Sequence, residues 1–294
     1  MLLRIIAVAA IVFSVHPVLA EEKEEREGGI VGTGIVGEIT ELGSILVNGQ
    51  KIEIASDLPV MGSVPDISAG ALKPGQTVAV VAALEGEAWR ALGIRQVLPL
   101  VGPVEAVGDG SLSVLGTTID LGALAITVNE GDWVAVSGFW RSERILVTAI
   151  EHLPDWQGPA QVSGTFFETD GVLPARIGAS EIAGIDPQHI SSGAFAHVTG
   201  TPIPGGIDAS RLETTLFDAP VGIIQAEGFF SDPEPDGLYT VLGSGLISYT
   251  DRPEMVQSGT RTIQCGANGR LGVFAVNDLS SEQIETIRRK LDCL

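Results

Sequence analysis

A short sequence pattern recurs about every 60 residues along the chain. Each copy has a turn that ends in glycine, followed by a strand in which apolar and small residues alternate. The turn glycines are Gly75, Gly131, Gly193 and Gly259. Glycine at such a position permits the positive φ that a tight turn needs. This period predicts a series of similar β units that share buried surface with their neighbours.

The segments around each copy repeat as well. A hairpin precedes each alternating strand, and the hairpin turns are Asn48-Gly49, Asp109-Gly110, Asp170-Gly171 and Asp236-Gly237. Asn-Gly and Asp-Gly are strong hairpin sequences. A further strand follows the pattern, as in ALGIRQV and ILVTAIEHL. We therefore predict an all-β protein with four units of about five short strands each. The predicted units cover residues 30–100, 101–157, 158–219 and 220–294.

The pattern resembles that of a bacterial exported family catalogued as domain of unknown function 5666. The shared features are G-x-V, a hairpin, L-x-V-x-G, then x-x-G-x-x-V-x-V-x-G and a strand of the T-A-I-E type. The second unit fits best, with Gly131, Val134, Val136, Gly138 and Thr148–Glu151 in place. Units of that family are thought to resemble small OB-type barrels, so the resemblance implies tandem small OB-like β-barrel repeats. It implies no catalytic residues, because the motif is structural.

Two units depart from the family pattern. The first carries an insertion, DLPVMGSVPDISAG, in its middle. In the fourth, Thr262 and Gln264 occupy the positions of the two valines, which leaves open how its strands pair. The resemblance therefore spans Gly28–Asp218.

The N-terminus predicts an exported protein. Residues 1–20 contain Arg4, an apolar run, and Val18 and Ala20 at the spacing that a signal peptidase requires. This arrangement indicates a secretory signal cleaved after Ala20 and not a membrane anchor. Residues 21–29, EEKEEREGG, then form an acidic linker. We expect a periplasmic or secreted protein with no membrane span.

The C-terminus predicts a disulfide and one α-helix. Cys265 and Cys293 are the two cysteines of the sequence, and an exported protein is expected to pair them. Between them, Ser280 and Gln283 are spaced as a helical capping box. The apolar stripe of this helix consists of Ile284, Ile287 and Leu291.

Charge and sequence context exclude two classes of ligand. The formal net charge is -20 at pH 7, which repels phosphate backbones, so we expect no nucleic-acid partner. The stretch GTGIVG at residues 32–37 matches the dinucleotide fingerprint G-x-G-x-x-G. A hairpin follows it instead of the helix that a bound pyrophosphate needs, so we expect no dinucleotide cofactor.

Metal and catalytic motifs are also weak. Asp186, His189 and His197 match no zinc spacing. The acidic run SDPEPDG at residues 231–237 offers oxygen atoms at alternate positions but lacks the later bidentate acid of a calcium loop, so it is interpreted as an exposed hairpin tip. No G-x-S-x-G nucleophile elbow occurs. We predict no cofactor, no metal and no catalytic residue.

Aromatic residues are the candidate ligand-binding groups. Val134 and Val136 are expected to face a barrel interior, which places Trp133 and Phe139 on the opposite face of the same strand. Together with Trp140, these residues are candidates for stacking on a sugar or for a protein contact. The alternative is a seam between packed barrels, which the burial needs of repeats favour.

These features favour an exported, non-enzymatic binding or adaptor protein of the bacterial cell envelope, with an envelope protein or a glycan as its partner. One alternative is a purely structural spacer, for which the aromatic residues are buried and no groove exists. The other is an envelope hydrolase, for which a cleft holds acids of perturbed pKa near a serine or histidine.

Overall fold

A computed structural model describes residues 31–167, 174–186 and 190–293 of the chain. The predicted signal peptide, the cleavage point after Ala20, the acidic linker and the Asp170-Gly171 turn lie outside these residues. The described chain is mostly β-strand, with one α-helix near the C-terminus, so the all-β prediction is confirmed. No helix within the described ranges has the length and apolar character needed to cross a membrane.

The strands form four consecutive barrels. Barrel 1 contains β1 (Gly32–Glu41), β2 (Ile45–Val47), β3 (Gln50–Glu53), β6 (Thr77–Glu85) and β7 (Ala88–Gln96), and its insertion contains β4 (Pro59–Met61), β5 (Ile67–Ser68) and the 3-10 helix Ala69–Ala71. Barrel 2 contains β8 (Leu100–Gly108), β9 (Ser111–Val114), β10 (Thr117–Asp120), β11 (Trp133–Arg141) and β12 (Arg144–His152). Barrel 3 contains β13 (Ala160–Phe167), β14 (Ala175–Ile177), β15 (Ser180–Ala183), β16 (Phe195–Ile203) and β17 (Gly206–Glu213). Barrel 4 contains β18 (Val221–Phe229), β19 (Leu238–Val241), β20 (Leu246–Tyr249), β21 (Arg261–Ala267) and β22 (Arg270–Leu271), with the 3-10 helix Pro253–Met255 before β21.

The five strands of each barrel pair in the same order. In barrel 2, β8 pairs with β9, β9 with β10, β10 with β12, β12 with β11, and β11 again with β8. The β10–β12 pair is parallel and the others are antiparallel. Barrels 1 and 3 repeat this order and close by full ladders. This five-stranded closed order is that of an OB-type barrel.

Barrel 4 keeps this order although it departs from the sequence pattern. A regular ladder joins β18 to β21, and β20 pairs in parallel with β22. Between β18 and β19, an isolated bridge from Phe230 to Val241 takes the place of a ladder. Thr262 and Gln264, which replace the two valines, are half-buried and hydrogen-bond to each other at 2.8 Å. Two polar side chains that satisfy each other therefore replace part of an apolar core.

The turn glycines behave as predicted in three barrels. Gly75, Gly131 and Gly193 have φ values of +87°, +90° and +83°, which favour glycine. The prediction is wrong for Gly259, whose φ is not positive. The turn hydrogen bond is nevertheless kept, because Thr260 N donates to Gln257 O as Gln76 N donates to Lys73 O in barrel 1. Barrel 4 therefore differs in the conformation of the glycine and not in the hydrogen bond that closes the turn.

A second glycine repeats for a steric reason. A Cβ atom at Gly138, Gly200 or Gly266 would overlap a backbone carbonyl oxygen of the neighbouring strand. Gly138 lies on β11 opposite a register shift in β12, so the two backbones approach closely. The glycine of the V-x-V-x-G motif is therefore required by strand packing within each of these barrels.

We predict that Gly138→Ala destabilises the protein by about 2 kcal/mol. The added methyl group would overlap backbone atoms of β12, which cannot move aside as the end of a flexible side chain can. Urea unfolding followed by circular dichroism measures this change. Gly93→Ala is the matched control, since Gly93 also lies in a strand but has open space where a Cβ would be. Equal unfolding midpoints for the two variants would contradict the steric explanation.

First strands join the barrels in pairs. β1 of barrel 1 pairs in parallel with β18 of barrel 4, from Gly32–Val221 to Val36–Ala226. β8 of barrel 2 pairs with β13 of barrel 3 in an antiparallel arrangement at Val101–Gln161. Barrels 1 and 4 therefore share one sheet, and barrels 2 and 3 share another.

Apolar seams join the two pairs of barrels. Between barrels 1 and 2, Val64 and Leu98 pack with Val101 and Leu153. Between barrels 3 and 4, buried residues pack in a cluster that includes Phe195, Leu216, Val241 and Leu246. Each barrel thus covers apolar surface that its neighbour would otherwise expose to water.

The C-terminal helix α1 (Ser281–Lys290) is fastened to the barrels at its far end. Its capping box is confirmed: Gln283 N donates to Ser280 Oγ at 3.2 Å, and Ser280 N donates to Gln283 Oε1 at 2.8 Å. The predicted disulfide between Cys265 and Cys293 is present. Leu291 is fully buried, and its carbonyl oxygen accepts a hydrogen bond from the Gln225 amide of β18.

Removal of the disulfide is expected to lower the free energy of unfolding by about 3 kcal/mol, because its sequence separation of 28 residues restricts the unfolded chain. The double variant Cys265→Ser/Cys293→Ser and the reduced wild-type chain should unfold at the same urea concentration. Unfolding midpoints equal to that of the oxidised protein would show that the helix is held by its packing alone.

Candidate functional site

Trp140 lies between barrels 2 and 3. Its side chain is 4% exposed, and its Nε1 donates a 2.7 Å hydrogen bond to Ser163 O. The indole ring packs on Gly164 and Gly178, where any Cβ atom would overlap it. One ring surface of Trp140 is therefore occupied by the glycines of the next barrel.

Phe139 lies at a central cluster, which we define as Glu38, Phe139, Glu227 and Arg261. The Arg261 guanidinium is 4.1 Å from the Phe139 ring centroid, a favourable cation–π distance. Arg261 also places Nη2 2.7 Å from Glu38 Oε2 and Nε 2.9 Å from Glu227 Oε1. Burial disfavours the Arg261 charge, but the two carboxylates outweigh it, and the pKa of Arg261 rises above its usual value.

The central cluster brings barrels 1, 2 and 4 together at one arginine. Beside it lies a void of about 30 Å³ that is lined by residues of all four barrels, including Val36, Ser163 and Leu242. The four barrels thus meet around a common centre and not as a linear row.

Trp133 packs in the seam between barrels 1 and 2. It is half-buried beside Trp156, against the apolar cluster that contains Val64 and Leu98. Phe195, its equivalent in barrel 3, is buried with Val241 of barrel 4. All three candidate ligand-binding residues, Trp133, Phe139 and Trp140, therefore make contacts between barrels. Of these, Trp140 also borders an open cleft.

That opening, which we call the loop cleft, has a volume of about 290 Å³ and lies where three barrels meet. The connection between β11 and β12 of barrel 2 contributes Ser142 and Glu143. The segment after β18 of barrel 4 contributes Asp232 and Glu234. From barrel 3 come the end of β13 and the exposed Arg176 of β14. Trp140 forms part of the cleft wall.

The loop cleft is predominantly acidic. Glu143, Asp232 and Glu234 supply three carboxylates, and Arg176 supplies one guanidinium. Burial, together with the nearby Asp236 carboxylate, raises the pKa of Glu234 above its usual value. The cleft therefore favours ligands that donate hydrogen bonds or carry positive charge.

Some residues of this cleft stand out in the sequence, but nothing in the sequence shows that they lie together. The sequence predicts an exposed hairpin tip for the acidic run at residues 231–237, whereas in the structure two of its acids, Asp232 and Glu234, line the same cleft as Trp140. Glu143 and Arg176 belong to other barrels, and no motif marks them. Within residues 31–167, 174–186 and 190–293, no group of three acidic, histidine or cysteine side chains could hold a metal ion. Of the metal triad weighed above, His189 lies outside these ranges.

A partly buried polar network joins barrels 1 and 3. Arg95 of β7 places Nη2 2.5 Å from Asp218 Oδ1 and Nη1 3.5 Å from Glu213 Oε2. His197 of β16 places Nδ1 3.8 Å from the same Glu213 oxygen and Nε2 3.3 Å from Gln161 Oε1. Burial lowers the pKa of His197 below its usual value and outweighs the Glu213 carboxylate, which raises it. The folded state therefore holds this imidazole neutral.

This shift predicts a loss of stability at mildly acidic pH. As the pH is lowered from about 7 through the ordinary histidine pKa of about 6.5, the unfolded chain binds a proton at His197 that the folded protein resists, so the free energy of unfolding decreases as the pH is lowered. His197→Gln should reduce that fall in urea unfolding measured across this window. An unchanged pH dependence in the variant would contradict the neutral assignment.

The fold and the sites together define an all-β protein of tandem OB-like barrels. Residues 101–151, which span most of barrel 2, match the family model described as Domain of unknown function (DUF5666). The resemblance in the sequence is thus confirmed over this barrel. No curated protein and no solved structure matches the chain. The family description states no activity, so the clefts are the features of the molecule that bear on its function.

Proposed function

We propose that this protein is an exported, non-enzymatic binding protein of the bacterial cell envelope, and that it holds an oligosaccharide in the loop cleft. The observation that carries this proposal is the convergence of loops from three barrels on one cleft. A spacer has no need for such a cleft, because its barrels only have to pack against one another.

The ligand class follows from the elements that form the cleft and from their charge. OB-type barrels bind oligonucleotides and oligosaccharides with the loops between strands one and two and between strands four and five, and with the face of strands two and three. The loop cleft uses the four–five connection of barrel 2, the one–two connection of barrel 4 and strand two of barrel 3. Its carboxylates and the net charge of -20 oppose an oligonucleotide, which leaves the oligosaccharide.

The side chains suit hydroxyl groups. Glu143 and Asp232 are exposed carboxylates that accept hydrogen bonds from sugar hydroxyls, and Arg176 donates to sugar oxygens. Phe167 at the end of β13 adds a half-buried aromatic surface for the apolar face of a pyranose ring. Export is supported by the signal-like residues 1–20 and by the disulfide, since disulfides persist in oxidising compartments.

A second candidate function is glycoside hydrolysis, and the raised pKa of Glu234 favours it. A carboxyl group whose pKa is raised by burial and by a neighbouring carboxylate is the kind of group that serves as a general acid toward a glycosidic oxygen. Binding and hydrolysis are separated by the fate of the ligand, which is recovered intact in the first case and shortened in the second.

The test is isothermal titration calorimetry of the whole chain with a panel of neutral envelope-type oligosaccharides. Glu143→Gln should weaken binding about ten-fold, because a hydrogen bond to a charged acceptor is lost. Glu254→Gln is the matched control, since Glu254 is exposed on barrel 4 away from the cleft, and it should leave affinity unchanged.

Three outcomes would change this conclusion. No binding across the panel would favour the structural spacer. Equal affinity of the wild-type chain and Glu143→Gln would move the site elsewhere. Shortened oligosaccharides that appear with the wild-type chain but not with Glu234→Gln would establish the hydrolase.

A further inference from the structure

The insertion in barrel 1 forms one wall of a second opening, which we call the insert cleft. Its volume is about 500 Å³. Val64, Pro65 and Ile67 of the insertion form an apolar wall, and Glu151 and His152 at the end of β12 form the opposite side. Insertions into repeat units commonly lie on a binding face. A departure from the family pattern therefore coincides with a cleft of ligand size.

One amide side chain without a protein partner, that of Gln96, lines the insert cleft. Gln96 follows Ile94 by two positions on β7, so its side chain is on the strand face that supplies the barrel 1 core. Gln96 is 4% exposed and lines the cleft, and its side-chain amide makes no hydrogen bond to any residue in the described ranges. Its polar atoms are not among the fully buried side-chain atoms without a partner, so water reaches them from the cleft and a ligand can take the place of that water.

The charged groups around this amide are already paired. Lys73 Nζ is 2.8 Å from Glu151 Oε1, and His152 Nε2 is 3.6 Å from Asp132 Oδ2. The neighbouring Gln76 is satisfied as well, because its Oε1 accepts from Lys73 N at 2.8 Å. The group that lacks a partner is therefore neutral, and it offers both a donor and an acceptor.

The geometry points to a small neutral sugar that carries an acetamido group as the ligand of the insert cleft. An acetamido group presents one N–H and one C=O, which complement the two ends of the Gln96 carboxamide. Its methyl group fits the apolar wall at Val64 and Ile67, while ring hydroxyls can donate to Glu151. The cleft volume of about 500 Å³ accommodates a disaccharide.

This inference is independent of the loop cleft. The two openings share no residue, and the insert cleft lies at the junction of barrels 1 and 2. Failure of the oligosaccharide proposal for the loop cleft would leave the insert cleft unaffected, and the reverse also holds.

Two disaccharides that differ only in the acetamido groups provide the test. The probes are N,N'-diacetylchitobiose and cellobiose, titrated into the whole chain and followed by calorimetry and saturation-transfer NMR. We expect diacetylchitobiose to bind at least about ten-fold more tightly, with its strongest transfer at the acetyl methyl groups. Equal affinity for the two sugars, or no binding of either, would overturn the inference.

Two substitutions test whether the sugar binds in the insert cleft. Gln96→Leu keeps the buried volume but removes the amide, so the preference for diacetylchitobiose should disappear. Ala71→Trp places a bulky side chain at the exposed edge of the cleft and should block binding without removing any core residue. Glu254→Gln, at an exposed residue that lines neither cleft, is the control and should keep the full preference.

Two further results would count against the inference. A preference that survives Ala71→Trp, in a variant whose thermal unfolding matches the wild type, would place the sugar elsewhere. A blocked dipeptide, N-acetyl-Ala-Ala-amide, that binds as tightly as diacetylchitobiose would make the ligand a peptide, since both probes offer an amide but the dipeptide lacks the hydroxyl groups.

Discussion

Barrels 1 and 4 share a parallel ladder between β1 and β18, and barrels 2 and 3 share an antiparallel ladder between β8 and β13. A unit of about 60 residues buries a small fraction of its surface, so it is only marginally stable on its own. The β8–β13 ladder joins the two barrels between which Trp140 is buried, while the apolar seam between barrels 3 and 4 buries Phe195. Both clefts lie at junctions that these ladders and seams hold together.

The sequence predicts those features of the fold that depend on residues close together in the chain. Alternation placed Val134 and Val136 in the barrel core, and the spacing of Ser280 and Gln283 predicted the helix cap. Contacts between barrels could not be predicted in this way. Arg261 meets Glu38 across 223 positions, and neither residue lies in a motif. Such a pair depends on how whole barrels pack, which local periodicity does not specify.

In the candidate sites too, local features are predictable from the sequence and contacts between barrels are not. The aromatic residues stood out in the sequence, and the preference for a seam rested on the burial needs of repeats. Their exact surroundings depend on glycines in another barrel, as at Gly178 beneath Trp140. Gln96 belongs to no sequence motif. Only the three-dimensional structure shows that its side chain lines the insert cleft without a protein partner. The insertion was visible as a break in the pattern, but its role as a cleft wall required barrel 2.

The β1–β18 ladder also constrains the order in which the molecule can assemble. Its partners are far apart in the chain, with 189 positions between Glu38 and Glu227. Barrels 2 and 3 are adjacent in sequence and can join as soon as both have formed. Barrel 1, although made first, presents the open edge of β1 until barrel 4 arrives, and such edges promote association with other chains. The same ladder that joins the two ends of the finished molecule is therefore a point at which an incomplete chain can pair with another chain.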